Sequence, residues 1–110
     1  MITFEAVCHL VADLDPGELE QWIAERWVLP ESGGGGYLFH EVDVARIRLI
    51  HEMRRELAID AEAMPVVLGL LDQLYTLRRG LRRLNAAIEA LPEETRAVVL
   101  ARLGAPPGEE

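Results

Sequence analysis

"DPGELEQWIAERWVLPESGGGGYLFHEVDV", residues 15–44, decides how this chain folds. Asp15, Pro16 and Glu18 make a helix start: a capping carboxylate, a proline in the first turn, and a glutamate three residues on that reaches back to the cap amide. Leu19, Trp22 and Ile23 form one apolar stripe, so the spacing predicts a helix ending near Arg26. "WVL" and "YLF" are short β-prone runs around a glycine-rich tip. They read as a hairpin whose loop is longer and looser than a two-residue turn. "HEVDV" then opens another helix.

The pattern extends in both directions. Upstream, "TFEAVCHLVA" at 3–12 is a short helix with Thr3 as cap and Phe4, Val7, Cys8 and Val11 at helical spacing. "DLD" breaks it before Asp15. Two short helices about a tight turn, followed by a hairpin, give a helix-turn-helix with a wing. Downstream, "EVDVARIRLIHEMRREL" at 41–57 is a third helix with Val44, Ile47, Ile50, Met53 and Leu57 on its buried face. Its arginines alternate with carboxylates, which makes a mixed, solvated surface. "AID" is the next break, with Asp60 as cap.

Beyond it, Val67, Leu70, Leu74, Leu77, Leu81, Leu84, Ile88 and Leu91 follow a 3-4-3-4-3-4-3 spacing. A strict 3.5-residue period sustained this long points to the seam of a coiled coil, between copies or within a hairpin, in preference to a long helix packed along its own domain. Leu70, Leu74, Leu77, Leu81, Leu84 and Ile88 are the expected homodimer contacts. Pro65 is tolerable in a first turn, and Gly80 in mid-helix fits either a close helix approach or a neutral substitution. "LPEETRAVVLARLG" restarts a helix after Pro92 and stops at Gly104, with Val99, Leu100 and Leu103 placed to fold back on the coil. "APPGEE" reads as a disordered tail. The expected organisation is a winged head over 1–59, a long helix over 60–91, and a short helix with a tail over 92–110.

Half of the residues are hydrophobic and Leu, Ala, Arg and Glu dominate, so the class is mainly α. The single cysteine, Cys8, rules out an intramolecular disulfide. The first residues lack a positive n-region, and no apolar run approaches the ~18 residues of a membrane span, so a cytoplasmic protein with no membrane contact is expected. Catalytic and metal residues are expected to be none, and cofactors none. Cys8 and His9 point about 100° apart on a helix, and His40 and His51 stand alone. No metal-ligand spacing or nucleophile motif occurs. The four glycines lack the Lys-Ser/Thr of a phosphate cradle.

The net charge is −8, and residues 1–25 hold six carboxylates with no Arg or Lys. Phosphate contacts need cations on the docking face, so no direct DNA binding is expected from this head. Asp13, Asp15, Glu18, Glu20 and Glu25 form the expected partner-binding acidic face, suited to a cationic polypeptide. Trp22 and Trp27 are candidate apolar anchors for it, weighed against core packing. "RRGLRR" at 78–83 is the one strongly basic patch.

The stretches "ITFEAVCHL", "DLDPGELEQWIAERWVLP", "GGYLFHEVDVARIRLIHEMRREL" and "IDAEAMPVVLGLL" follow the order of MerR-type winged-helix regulators. "RLIHEMRRELAIDAEAMPVVLGLLDQLYTLRRGLRRL" resembles more closely the CbpM family of chaperone modulators. The likeness covers about residues 1–90 and leaves 92–110 as an addition. It implies a MerR-like head, a homodimer paired through antiparallel long helices, and binding to the J-domain of a CbpA-like (DnaJ-type) co-chaperone. Such binding withholds the co-chaperone from DnaK. J-domains expose a basic second helix, which an acidic face would meet. DNA-reading members of the wider class carry an Arg-rich stretch where this chain has "GELEQWI". The alternative reading is a MerR-type DNA-binding transcription regulator; a scaffold or antitoxin dimer is a third.

Overall fold

A computed structural model describes residues 1–104. The expected tail lies outside them. The elements run β1 (Ile2–Thr3), α1 (Phe4–Leu10), α2 (Pro16–Ala24), β2 (Glu31–Gly33), β3 (Gly36–Phe39), α3 (Glu41–Arg55), α4 (Met64–Glu89) and α5 (Glu93–Leu103). By contacts they form two compact units, Met1–Leu68 and Gly69–Glu110. The mainly helical class and the winged helix-turn-helix head are as the sequence predicts.

Helix starts follow their caps. Thr3 Oγ1 accepts the Ala6 N–H at 3.2 Å, and Glu18 Oε1 accepts the Asp15 N–H at 3.4 Å. Asp60 Oδ1 accepts the Ala63 N–H at 2.8 Å in the turn that leads into α4. Pro65 sits in the first turn of α4, where its missing N–H leaves no helical bond unmade.

The end of α2 uses no glycine. Arg26 takes φ +63°, the Trp27 N–H reaches Trp22 O at 2.9 Å and the Arg26 N–H reaches Ile23 O at 3.0 Å. This is a Schellman closure, and the apolar contact that accompanies such closures is Trp22 stacked on Trp27, centroids 6.4 Å apart and planes 26° apart.

The sheet differs from expectation in three ways. It has three antiparallel strands in the order β1-β3-β2, because Ile2 and Thr3 pair with Phe39 and Leu38; two residues are too few to show a period in sequence. "WVL" is not the first wing strand. Trp27 and Val28 are buried in the core, 5% and 0% exposed, and the ladder starts only after Pro30, which has no N–H to donate. The wing tip is a tight two-residue turn and not a loose loop. Gly33 faces Gly36 across it, and Gly34 and Gly35 take φ +58° and +86°, the left-handed pair that matches the strand twist.

The core of the first unit forms where α1, α2, α3 and β3 meet. Val7, Leu19, Phe39, Ile47 and Ile50 are fully buried, and Val44 and Met53 nearly so. Leu57, expected on the same face, is 65% exposed: α3 ends at Arg55 and the chain turns through Ala58 at φ +53°. Met64 and Leu68 are buried and belong to the first unit, so that unit extends past the boundary at 59 read from the sequence.

Candidate interaction surfaces

Each arginine of α3 donates to a backbone carbonyl, Arg46 and Arg54 from part-buried positions and Arg48 and Arg55 from exposed ones. Arg46 Nε donates to Trp27 O at 2.6 Å, and Arg48 Nη2 to Leu10 O at 3.2 Å. Arg54 Nη1 donates to Ile59 O at 3.0 Å, and Arg55 Nη2 to Asp13 O at 3.1 Å. Leu10 ends α1, and Leu10, Asp13, Trp27 and Ile59 all lie at turns. Such carbonyls lack helical partners, and the guanidinium groups supply them. These cations brace the head's connections.

The five expected acidic residues divide. Asp13 takes φ +63° in the turn between α1 and α2, and its carbonyl accepts from His51 Nε2 at 3.3 Å as well as from Arg55. Glu18 accepts from the Asp15 N–H and pairs with Arg55 at 3.4 Å. Asp13 and Glu18 therefore hold the turn as well as contributing charge. Asp15, Glu20 and Glu25 are exposed, and Glu25 accepts from Gln21 Nε2 at 3.2 Å.

Cys8 shows which carboxylates share one neighbourhood. Partial burial pushes its thiol above the ordinary range, and the charges of Asp15, Glu20 and Glu5 push it the same way. Glu5 is thus part of the acidic surface with Asp15 and Glu20, although the sequence reading left it out of the partner face. It lies on a different helix, and only packing of α1 beside α2 brings it there. Between the folded thiol pKa and the lower unfolded one, the unfolded thiol ionises first, so this group lowers stability as pH rises through the thiol range. Iodoacetamide at about pH 8 should alkylate Cys8 more slowly than free cysteine, because thiolate is scarcer at Cys8. Glu5→Gln with Glu20→Gln should raise that rate. An unchanged rate in the double variant would separate these carboxylates from Cys8.

Trp22 and Trp27 are 3% and 5% exposed. They are core residues, and the anchor role weighed for them is excluded on the folded head. The wing residues 31–39 include no Arg or Lys, and at their base His40 Nε2 meets Glu31 Oε2 at 2.5 Å. No cluster of three metal-ligating side chains occurs among the described residues. No helix among them is long and apolar enough to cross a membrane.

The second surface lies on α4. Leu70, Leu74, Leu77, Leu81 and Leu84 are 60%, 46%, 62%, 57% and 54% exposed. Ile88 departs from the expected seam. It is 7% exposed, because α5 turns back beside it. Leu84, Ala87, Ile88 and Leu91 of α4 and its end, with Val98, Val99, Leu103 and the stem of Arg102 of α5, line an apolar groove of about 520 Å³. Val99 lies against the coil as expected, whereas Leu100 and Leu103 are 46% and 62% exposed, Leu103 at the edge of the groove. A methyl group built at Gly80 meets nothing within 4 Å, so no close approach among the described residues accounts for this glycine. Arg78, Arg79, Arg82 and Arg83 are exposed on the same helix, with Arg79 over the Tyr75 ring at 6.0 Å.

A winged helix-turn-helix head followed by a long helix with an exposed leucine row defines a class of regulatory proteins. This chain belongs to the MerR HTH family of regulatory proteins, whose family model matches residues 2–86. Neither the comparison with curated proteins nor that with solved structures gave a match.

Proposed function

We propose that this chain is a dimeric adaptor that binds the J-domain of a CbpA-like, DnaJ-type co-chaperone through its acidic head and withholds it from DnaK. It needs no cofactor, carries out no catalysis and works in the cytoplasm. The observation that carries this reading is the sign of the head's surface. Residues 1–25 contain six carboxylates and no Arg or Lys, and each arginine of α3 donates to a backbone carbonyl. A phosphate backbone would meet repulsion there, whereas the basic helix of a J-domain would be attracted. The resemblance to CbpM-type modulators along residues 48–84 supports the choice of partner.

Rim charges act mainly on association rate. Binding to a J-domain of CbpA type, followed by surface plasmon resonance, should weaken steeply between ~50 and ~200 mM salt. Glu5→Gln with Glu20→Lys should slow association about tenfold at low salt and leave dissociation nearly unchanged. These two residues are chosen because neither carries the turn, unlike Asp13 and Glu18. Association that ignores both salt and the double substitution would remove the acidic head from the contact.

The second reading, a DNA-binding regulator, has in its favour the family assignment and the Arg78–Arg83 cluster on α4. A gel shift at ~50 mM salt, where electrostatic binding is strongest, separates the two. A sequence-specific shifted band would reverse the order of preference.

A further inference from the structure

The row Leu70, Leu74, Leu77, Leu81 and Leu84 is convex and exposed, and the groove between the end of α4 and α5 is concave and apolar. We propose that α5 is a clasp: in a dimer of this chain, the groove of each copy receives Leu70 and Leu74 of the other. The clasp rests on the homodimer reading above and adds α5, which lies beyond the matched residues 2–86.

Spacing fixes the alignment. The leucine series reads the same from either end about residue 79, so reversal places Leu74 against Leu84 and Leu70 against Ile88. That alignment brings a ridge to each groove. A parallel pair would bring groove to groove and leave both unfilled, which protein interiors avoid.

Area also argues for the clasp. The five leucines, each about half exposed, offer roughly 100 Å² apiece. The resulting ~500 Å² per copy falls short of the ~800 Å² per partner typical of a specific interface. Val98 and Leu103 are a further 59% and 62% exposed and line the groove. With them the surface rises to roughly 700 Å², near that value. The facing surfaces are identical in the two copies, so the contact closes on itself and needs no other partner.

Two variants of the full chain test this. Val98→Glu with Leu103→Glu places charge on exposed positions and should leave helix content by circular dichroism unchanged. It should raise the dimer Kd at least tenfold by sedimentation. Leu74→Cys with Leu103→Cys, in a Cys8→Ser background, should form a doubly linked dimer on oxidation. Within one chain these positions are too far apart: Leu103 lies beside Leu84, about 15 Å along the helix from Leu74, beyond disulfide reach. Neither single cysteine should link copies. Linking by Leu74→Cys alone would mean parallel helices and overturn the clasp. An unchanged Kd with the two glutamates, while Leu77→Asp with Leu81→Asp is monomeric, would overturn the clasp and leave the dimer standing. A chain that dimerises equally well with those two aspartates would overturn the dimer itself.

Discussion

Leu77→Asp with Leu81→Asp should convert a dimer into a 12.3 kDa monomer in sedimentation velocity. The two side chains sit mid-row and are 62% and 57% exposed on the single chain. An aspartate there costs the isolated chain little, because water still reaches it. Between two copies the same carboxylates would be buried without partners, and reversal about residue 79 places Leu77 against Leu81. Unpaired charge in an apolar seam costs several kcal/mol. Even ~3 kcal/mol raises Kd more than a hundredfold. Circular dichroism should show the helices intact, since the leucines support no contact inside the head. If the double variant sediments as the parent does, the row serves something other than self-association.

Phe39→Ala should destabilise the head by about 3–5 kcal/mol, a large part of the ~5–15 kcal/mol of an ordinary domain. Phe39 is fully buried. It ends the central strand β3 opposite Ile2, with its ring 6.4 Å from that of Phe4 and 6.5 Å from that of Tyr37. Truncation leaves a cavity where β1, α1 and β3 converge. Both tryptophans lie in the head, so their fluorescence in urea reads this unit without the long helix. Tyr37 is 40% exposed on the same strand, and Tyr37→Ala should cost about 1 kcal/mol or less. Equal midpoints for the two variants would mean that β3 is not the keystone of the head.

The two predictions sample two kinds of information. The leucine row was legible because it depends on period alone: one residue type at 3.5-residue spacing specifies a face whatever packs on it. The helix starts were legible for a similar reason, since Thr3, Glu18 and Asp60 act on amides within three residues. The sign of the head was readable too, as carboxylates that are solvated keep their charge.

Phe39's role, by contrast, depends on β1, a strand that two residues form only because β3 is there to pair with them. The arginines of α3 looked like a mixed solvated face. Their targets at Leu10, Asp13 and Trp27 are remote in sequence, so no local pattern announces them. Glu5 joined the acidic surface for the same reason. The sequence by itself determined the helices, the sign of the head and the leucine row, because each follows from composition or from spacing within a few turns. Tertiary structure alone decided that α3's arginines reach the carbonyls of distant turns, that Trp22 and Trp27 are core, and that Ile88 lies beneath α5 while the leucines before it stay open. Those outcomes depend on which distant groups desolvate one another, and that is settled only when the elements pack.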